Sequence, residues 1–117
     1  MSAALGMLAL VVREYDEAIA YFAGALGFAL IEDTDMGSGK RWVVVAPGEG
    51  GARLLLAKAA NEKQAAAIGA QTGGRVFLFL YVADFDATYA RYAAAGVRFA
   101  EAPRQEKYGK VVVFEDL

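Results

Sequence analysis

The sequence predicts an α+β domain made of two tandem β-α-β-β-β modules whose strands form a curved mixed sheet around a shared cavity, and three observations carry that expectation. The first is an internal echo. The stretch "LVVREYDEAIAYFAGALGF", Leu10 to Phe28, is answered by "LYVADFDATYARYAAAGV", Leu80 to Val97. Leu10 matches Leu80, Val12 matches Val82, Glu14 matches Asp84, Tyr15 matches Phe85, Asp16 matches Asp86, Ala20 matches Ala90 and Phe22 matches Tyr92; after a one-residue slip, Gly27 matches Gly96. The second is the change of apolar period inside each copy, from a continuous β-branched run to helical spacing. The third is bulk: 117 residues, of which 57% are hydrophobic, suffice for one domain with a real core that the two modules share.

Taken in order, Gly6 to Val12 reads as a strand, and Tyr15 to Leu26 as a helix with Ala18, Ile19, Phe22 and Leu26 on one face. Gly27 stops that helix as a left-handed cap would. Phe28 to Glu32 resumes an extended pattern, "DTDMGSGK" reads as a loop, "RWVVVA" as a strand, "PGEGG" as a turn and "ARLLLA" as the fourth strand. A first module of about residues 4–58 results. The stretch "NEKQAAAIGAQTGG" opens on the helix-capping residue Asn61 and dissolves into glycines, so it reads as a short helical linker. The second module, about residues 75–117, holds the strand Val76 to Val82, the helix Phe85 to Ala95 closed by Gly96, the strand Val97 to Ala100, a loop through Pro103 and the strand Lys110 to Phe114. By the template of the first module a last strand is missing after "FEDL". That leaves a sheet edge unpaired and predicts a homodimer that covers or completes it.

Composition narrows the function classes. The net charge of −2 and pI near 5.1, with no basic run, argue against nucleic-acid binding, which needs clustered cations to replace phosphate counterions. No apolar stretch approaches the roughly twenty residues that span a bilayer. The chain has no cysteine, and Arg13, Glu14, Asp16 and Glu17 occupy the region where a signal peptide would be apolar, so a cytoplasmic protein is expected. It also has no histidine, which removes Ser-His and Cys-His nucleophile pairs and histidine-rich metal sites. The carboxylates Glu14, Asp16, Glu17, Asp84 and Asp86 sit where first helical turns want them, next to backbone N–H groups. "GSGK" at Gly37 to Lys40 lacks the spacing of a phosphate loop and precedes a strand, so it reads as a hairpin turn.

The paired "VVREYDEAIAYFAGALGF" and "YVADFDATYARYAAAGV", with "GKRWVVVAP" and the closing "YGKVVVFEDL", resemble the vicinal oxygen chelate superfamily of glyoxalases, bleomycin resistance proteins and extradiol dioxygenases. The resemblance covers essentially the whole chain. It implies the fold, and for the metal enzymes of the superfamily it implies ligands on the first, fourth, fifth and eighth strands. Carried onto this sequence those positions fall on Met7, approximately Leu55, and Phe77, with the eighth strand beyond the chain end. None is a suitable donor for a divalent ion. No metal, no cofactor and no catalytic residue is therefore expected.

Strand alternation selects the cavity wall. Leu8, Leu10 and Val12 suit helix packing, which leaves Met7, Ala9 and Val11, and by the same logic Phe77, Phe79 and Tyr81, for the concave side. Trp42, the sole tryptophan, follows Arg41 on a central hairpin and offers a plate for a flat ligand. Tyr81 brings a hydroxyl that needs a partner if buried. Tyr108 could lie on a lid. The expected function is a metal-free protein that holds a small apolar or aromatic ligand against Met7, Trp42, Leu55, Phe77, Phe79 and Tyr81. The alternatives are a metal-dependent lyase or dioxygenase of the same superfamily, and a structural or interaction module without a ligand.

Overall fold

A computed structural model describes residues 2–117. The first module forms a four-stranded mixed sheet in the order β1-β4-β3-β2, with β1 (Met7–Val12) parallel to β4 (Arg53–Lys58), and β4 and β2 (Ala29–Gly37) each antiparallel to β3 (Lys40–Ala46). Leu10, Val12, Val43, Val45, Leu54 and Leu56 share one face and are buried there under Tyr15, Ala18, Phe22 and Leu26 of the first helix. Tyr92 and Val97 of the second module join the same core. The modules meet through this core and two hydrogen bonds: the Tyr92 hydroxyl donates to the Leu26 carbonyl at 3.0 Å, and the Tyr21 hydroxyl to the Glu115 carbonyl at 2.6 Å.

The first helix begins as an α-helix, α1 (Tyr15–Ile19), and continues as a π-helix over Ala20–Ala25. A π turn holds one residue more than an α turn. The slip in the repeat has the same size and place: Phe22 and Tyr92 stand seventy positions apart, Gly27 and Gly96 only sixty-nine. The extra residue is absorbed inside the helix, so the residues on either side of it keep facing the core. Gly27 (φ 73°) and Gly96 (φ 87°) then end the two helices in the left-handed conformation glycine adopts without a steric cost.

The strand β2 is longer than the sequence suggested, because it takes in Asp33 to Gly37 of the expected loop, four of which pair with β3 around an irregularity at Met36, and the turn shrinks to Ser38 and Gly39. Both have positive φ (57° and 80°), as a tight two-residue hairpin requires. The polar run misleads because β2 is an edge strand exposed along its whole length. The linker holds α2 (Glu62–Ala65), where the Asn61 side chain accepts from the Gln64 N–H at 2.9 Å. Beyond it the Gln71 side-chain amide donates to the Val11 carbonyl at 2.8 Å and accepts from the Val11 N–H at 3.4 Å, acting as a one-residue strand on the free edge of β1.

The second module departs further from expectation. Its helix α3 (Phe85–Ala94) forms, capped by the Asp84 carboxylate, which accepts from the Ala87 N–H at 3.1 Å. The stretch Val76 to Val82 makes no ladder, although it was expected to be a strand. Extended chain becomes sheet only with a partner. In the first module β4 supplies it to β1, and among the described residues nothing supplies it here. The expected loop through Pro103 instead yields β5 (Arg104–Glu106), paired with β6 (Gly109–Val111) as a two-stranded hairpin. The expected strand Val97 to Ala100 reduces to a bridge between Phe99 and Phe114, flanked by hydrogen bonds from Ala100 N–H to Val113 O and from Glu115 N–H to Arg98 O.

The result is an open molecule. Its accessible surface is 8048 Å² for 12.4 kDa. A folded monomer of that mass exposes about 6,100 Å². Its radius of gyration of 15.2 Å likewise exceeds the value of about 13.4 Å typical of a compact domain this long.

Candidate functional site

The four-stranded sheet has one face covered by helices and one left open, and strand pairing assigns each side chain to a face. Leu55 lies opposite Val44, and Val44 opposite Glu32; Trp42 lies opposite Thr34; Ala9 lies beside Leu55 and Val11 beside Ala57. Since Leu54, Leu56, Val43 and Val45 belong to the core, this alternate set forms the open face. The face is an apolar floor with an aromatic plate at Trp42. Met7, at 38% exposure, stands at one end of it beside Arg53.

Three of the six expected ligand-binding residues, Met7, Trp42 and Leu55, are thereby brought onto one surface. The other three lie on the unpaired stretch and part company there. Phe77 packs against the core cluster together with Leu78 and Leu80, so strict alternation does not hold without a ladder to enforce it. Phe79 and Tyr81 project outward at 76% and 91% exposure. Tyr108 is exposed on the β5–β6 turn.

Sequence reading missed two polar residues of the open face. Glu32 was placed at the end of a strand and Thr34 in a loop, yet both face the same way as Trp42, and the Thr34 hydroxyl donates to Glu32 Oε2 at 2.9 Å. The signal that could have found them is the pair Ser38-Gly39, which marks a two-residue turn and so extends β2 through Thr34. Asp33, between them, points to the other face. There its carboxylate receives Arg41 Nε at 3.0 Å and Nη2 at 2.7 Å, and the hydrogen bonds from Arg41 hold it below the usual carboxylate range.

Arg41 also binds Asp16 at 2.9 Å, its guanidinium lies 5.1 Å from the centre of the Tyr15 ring, and its backbone N–H donates to the Tyr15 hydroxyl at 3.1 Å. This cluster fastens the β2–β3 hairpin to the start of α1. The second module repeats the fastening: Asp86, the counterpart of Asp16, binds Lys110 on β6 at 2.9 Å. Two open grooves of about 400 Å³ and 280 Å³ lie beside these fastenings, lined by Asp33, Asp35 and Arg41 in one and by Asp86, Arg104 and Lys110 in the other. Of their charged residues, Asp33 is paired with Arg41, Asp86 with Lys110 and Arg104 with Glu101 and Glu106, and none of the six expected residues lines either groove.

The positions at which the metal enzymes of the resembled superfamily carry ligands do not fit a divalent ion here. Met7 offers only a thioether, Leu55 and Phe77 offer nothing, and Glu32 is one carboxylate with only the neutral Thr34 hydroxyl beside it. Among the described residues no three His, Cys, Asp or Glu side chains come together as a metal site.

Comparison with known proteins agrees with the topology. The family model "Glyoxalase/Bleomycin resistance protein/Dioxygenase superfamily" matches residues 4–117. A protein of Shewanella frigidimarina (strain NCIMB 400) is 51% identical over 112 residues, covering 94% of this chain and 83% of the relative. YetH of Bacillus subtilis (strain 168) is 27% identical over 112 residues, covering 96% of this chain and 88% of YetH. Among solved structures, UcmS2 superposes with a TM-score of 0.84 at 29% identity, covering 99% of this chain and 92% of that one. TnmS3, an antibiotic binding protein from Streptomyces sp. CB03234, shares the fold with a TM-score of 0.77 at 24% identity, covering 98% and 88%. No helix among the described residues is long and apolar enough to cross a membrane.

Proposed function

We propose, given that the chain belongs to the Glyoxalase/Bleomycin resistance protein/Dioxygenase superfamily, that it is a small-molecule-binding protein that holds a flat, largely apolar ligand on the open sheet face without a metal ion. The observation that carries the reading is the face itself. Trp42, Leu55 and Ala57, with Val44 buried between them, make an apolar floor on a four-stranded sheet, and the residues at the superfamily's metal positions are not donors that suit a divalent ion. A shared fold with an antibiotic binding protein supports the same reading.

The working form in this proposal is a homodimer. A sheet face alone leaves a bound molecule half in water, and the excess surface of this chain, about 1,900 Å² over a compact monomer of its mass, is of the size that permanent subunit contacts bury. Covering Val76 to Val82 with a second copy removes Phe79 and Tyr81 from solvent and gives the ligand a second wall. A cytoplasmic setting remains part of the proposal.

The sole tryptophan makes the test direct. Titration with planar aromatic compounds is expected to change Trp42 emission saturably and one molecule per chain, and Leu55→Glu is expected to abolish the response. If Trp42 emission stays flat across such compounds while the protein is folded, the reading fails.

A further inference from the structure

On the reading that the open face binds a ligand, we propose that the ligand carries a cationic or N–H donor group, and that Glu32 is the residue that selects it. Glu32 is the carboxylate of that face, set opposite Val44 and one pleat from Trp42. Its neighbour Asp33 is held by Arg41 on the other face, whereas Glu32 receives a neutral hydroxyl from Thr34 and no ion pair among the described residues. That bond occupies Oε2, orients the carboxylate on the sheet and leaves Oε1 to accept from something else.

A ligand lying across Trp42 and Leu55 meets this oxygen at its rim. Once such a ligand excludes water, an acceptor left without a donor is costly, so a molecule that donates there is favoured over a neutral one of the same shape. Two cations share the face. Arg53 lies beside Met7, two strands away from Glu32 and two residues further along, a separation of roughly 12 Å, and Lys40 lies four residues along β3 from Val44, the partner of Glu32, a separation of roughly 14 Å. Neither backbone position puts its side chain next to Glu32, and neither forms an ion pair with it among the described residues. The aromatic plate adds to the preference, because the face of an indole attracts positive charge.

Three tricyclic compounds of nearly one shape separate these possibilities in calorimetric titrations at neutral pH: 9-aminoacridine, a cation; acridine, neutral; and acridine-9-carboxylate, an anion. The expected order is 9-aminoacridine tightest, by tenfold or more over acridine, with the carboxylate weakest. Glu32→Gln, which keeps the size of the side chain and the acceptor for Thr34, is expected to remove the tenfold preference while leaving acridine binding within twofold. Asp35→Asn changes net charge equally on the opposite face and is expected to leave the preference intact. Equal binding of all three compounds, or a preference that survives Glu32→Gln, would overturn the role of Glu32 while the binding reading stands. Binding of none of the three would overturn both.

Discussion

Replacing Phe79 with Asp tests whether Val76 to Val82 is an interface. In the single chain Phe79 is 76% exposed, so a partner that covers it removes about 150 Å² of apolar surface from water in each copy. At the usual value of about 25 cal/mol per Å² this is about 4 kcal/mol per copy. A two-fold contact counts the residue twice, so the substitution is expected to weaken the dimer by about 7–8 kcal/mol, or about 10⁵-fold in dissociation constant. Sedimentation velocity over a concentration series reads this directly. The wild-type chain is expected to be dimeric at micromolar concentration and Phe79→Asp monomeric there, with Phe79→Leu close to wild type. A wild-type monomer at tens of micromolar would refute the reasoning, and so would a Phe79→Asp dimer as tight as wild type.

Leu56, with 0% exposure at the centre of β4, is expected to lose about 2–5 kcal/mol of stability on replacement by Ala, seen as a lower midpoint in urea. Less than 1 kcal/mol would mean that the helices do not pack there as described. The Tyr21 hydroxyl is pushed up to about 12, first by burial and then by the charge of Asp116. The folded chain therefore keeps its proton over a range, from about pH 10 to about pH 12, in which the unfolded chain has lost it. Stability is expected to fall through that window. Tyr21→Phe should remove that slope, and ultraviolet titration of the phenolate should show a late-ionising tyrosine in the wild type.

Much of the first module was legible because its signals are local. The run of β-branched residues before Arg13, the spacing of Ala18, Phe22 and Leu26, and Gly27 each state an element within a few residues of sequence. The far end of β2 was not legible, since a solvated edge strand can be polar throughout, and with it Glu32 and Thr34 were lost from the site. Whether Val76 to Val82 is a strand lies outside its own residues altogether. Its apolar, β-branched character states a capacity to pair, and the pairing belongs to another segment. Phe77 illustrates the consequence: assigned by alternation to the ligand side, it turns toward the core because no ladder fixes its direction.

The π-helical turn at Ala20–Ala25 sets the two halves apart. Two halves that read as copies differ by one residue inside matching helices and not in a loop, where a length difference would cost least. The length difference between the halves falls between Phe22 and Gly27. The halves are also no longer exchangeable parts: a hybrid built from two first modules would carry the widened turn twice, and would place a second Tyr21 where the natural chain has Arg91.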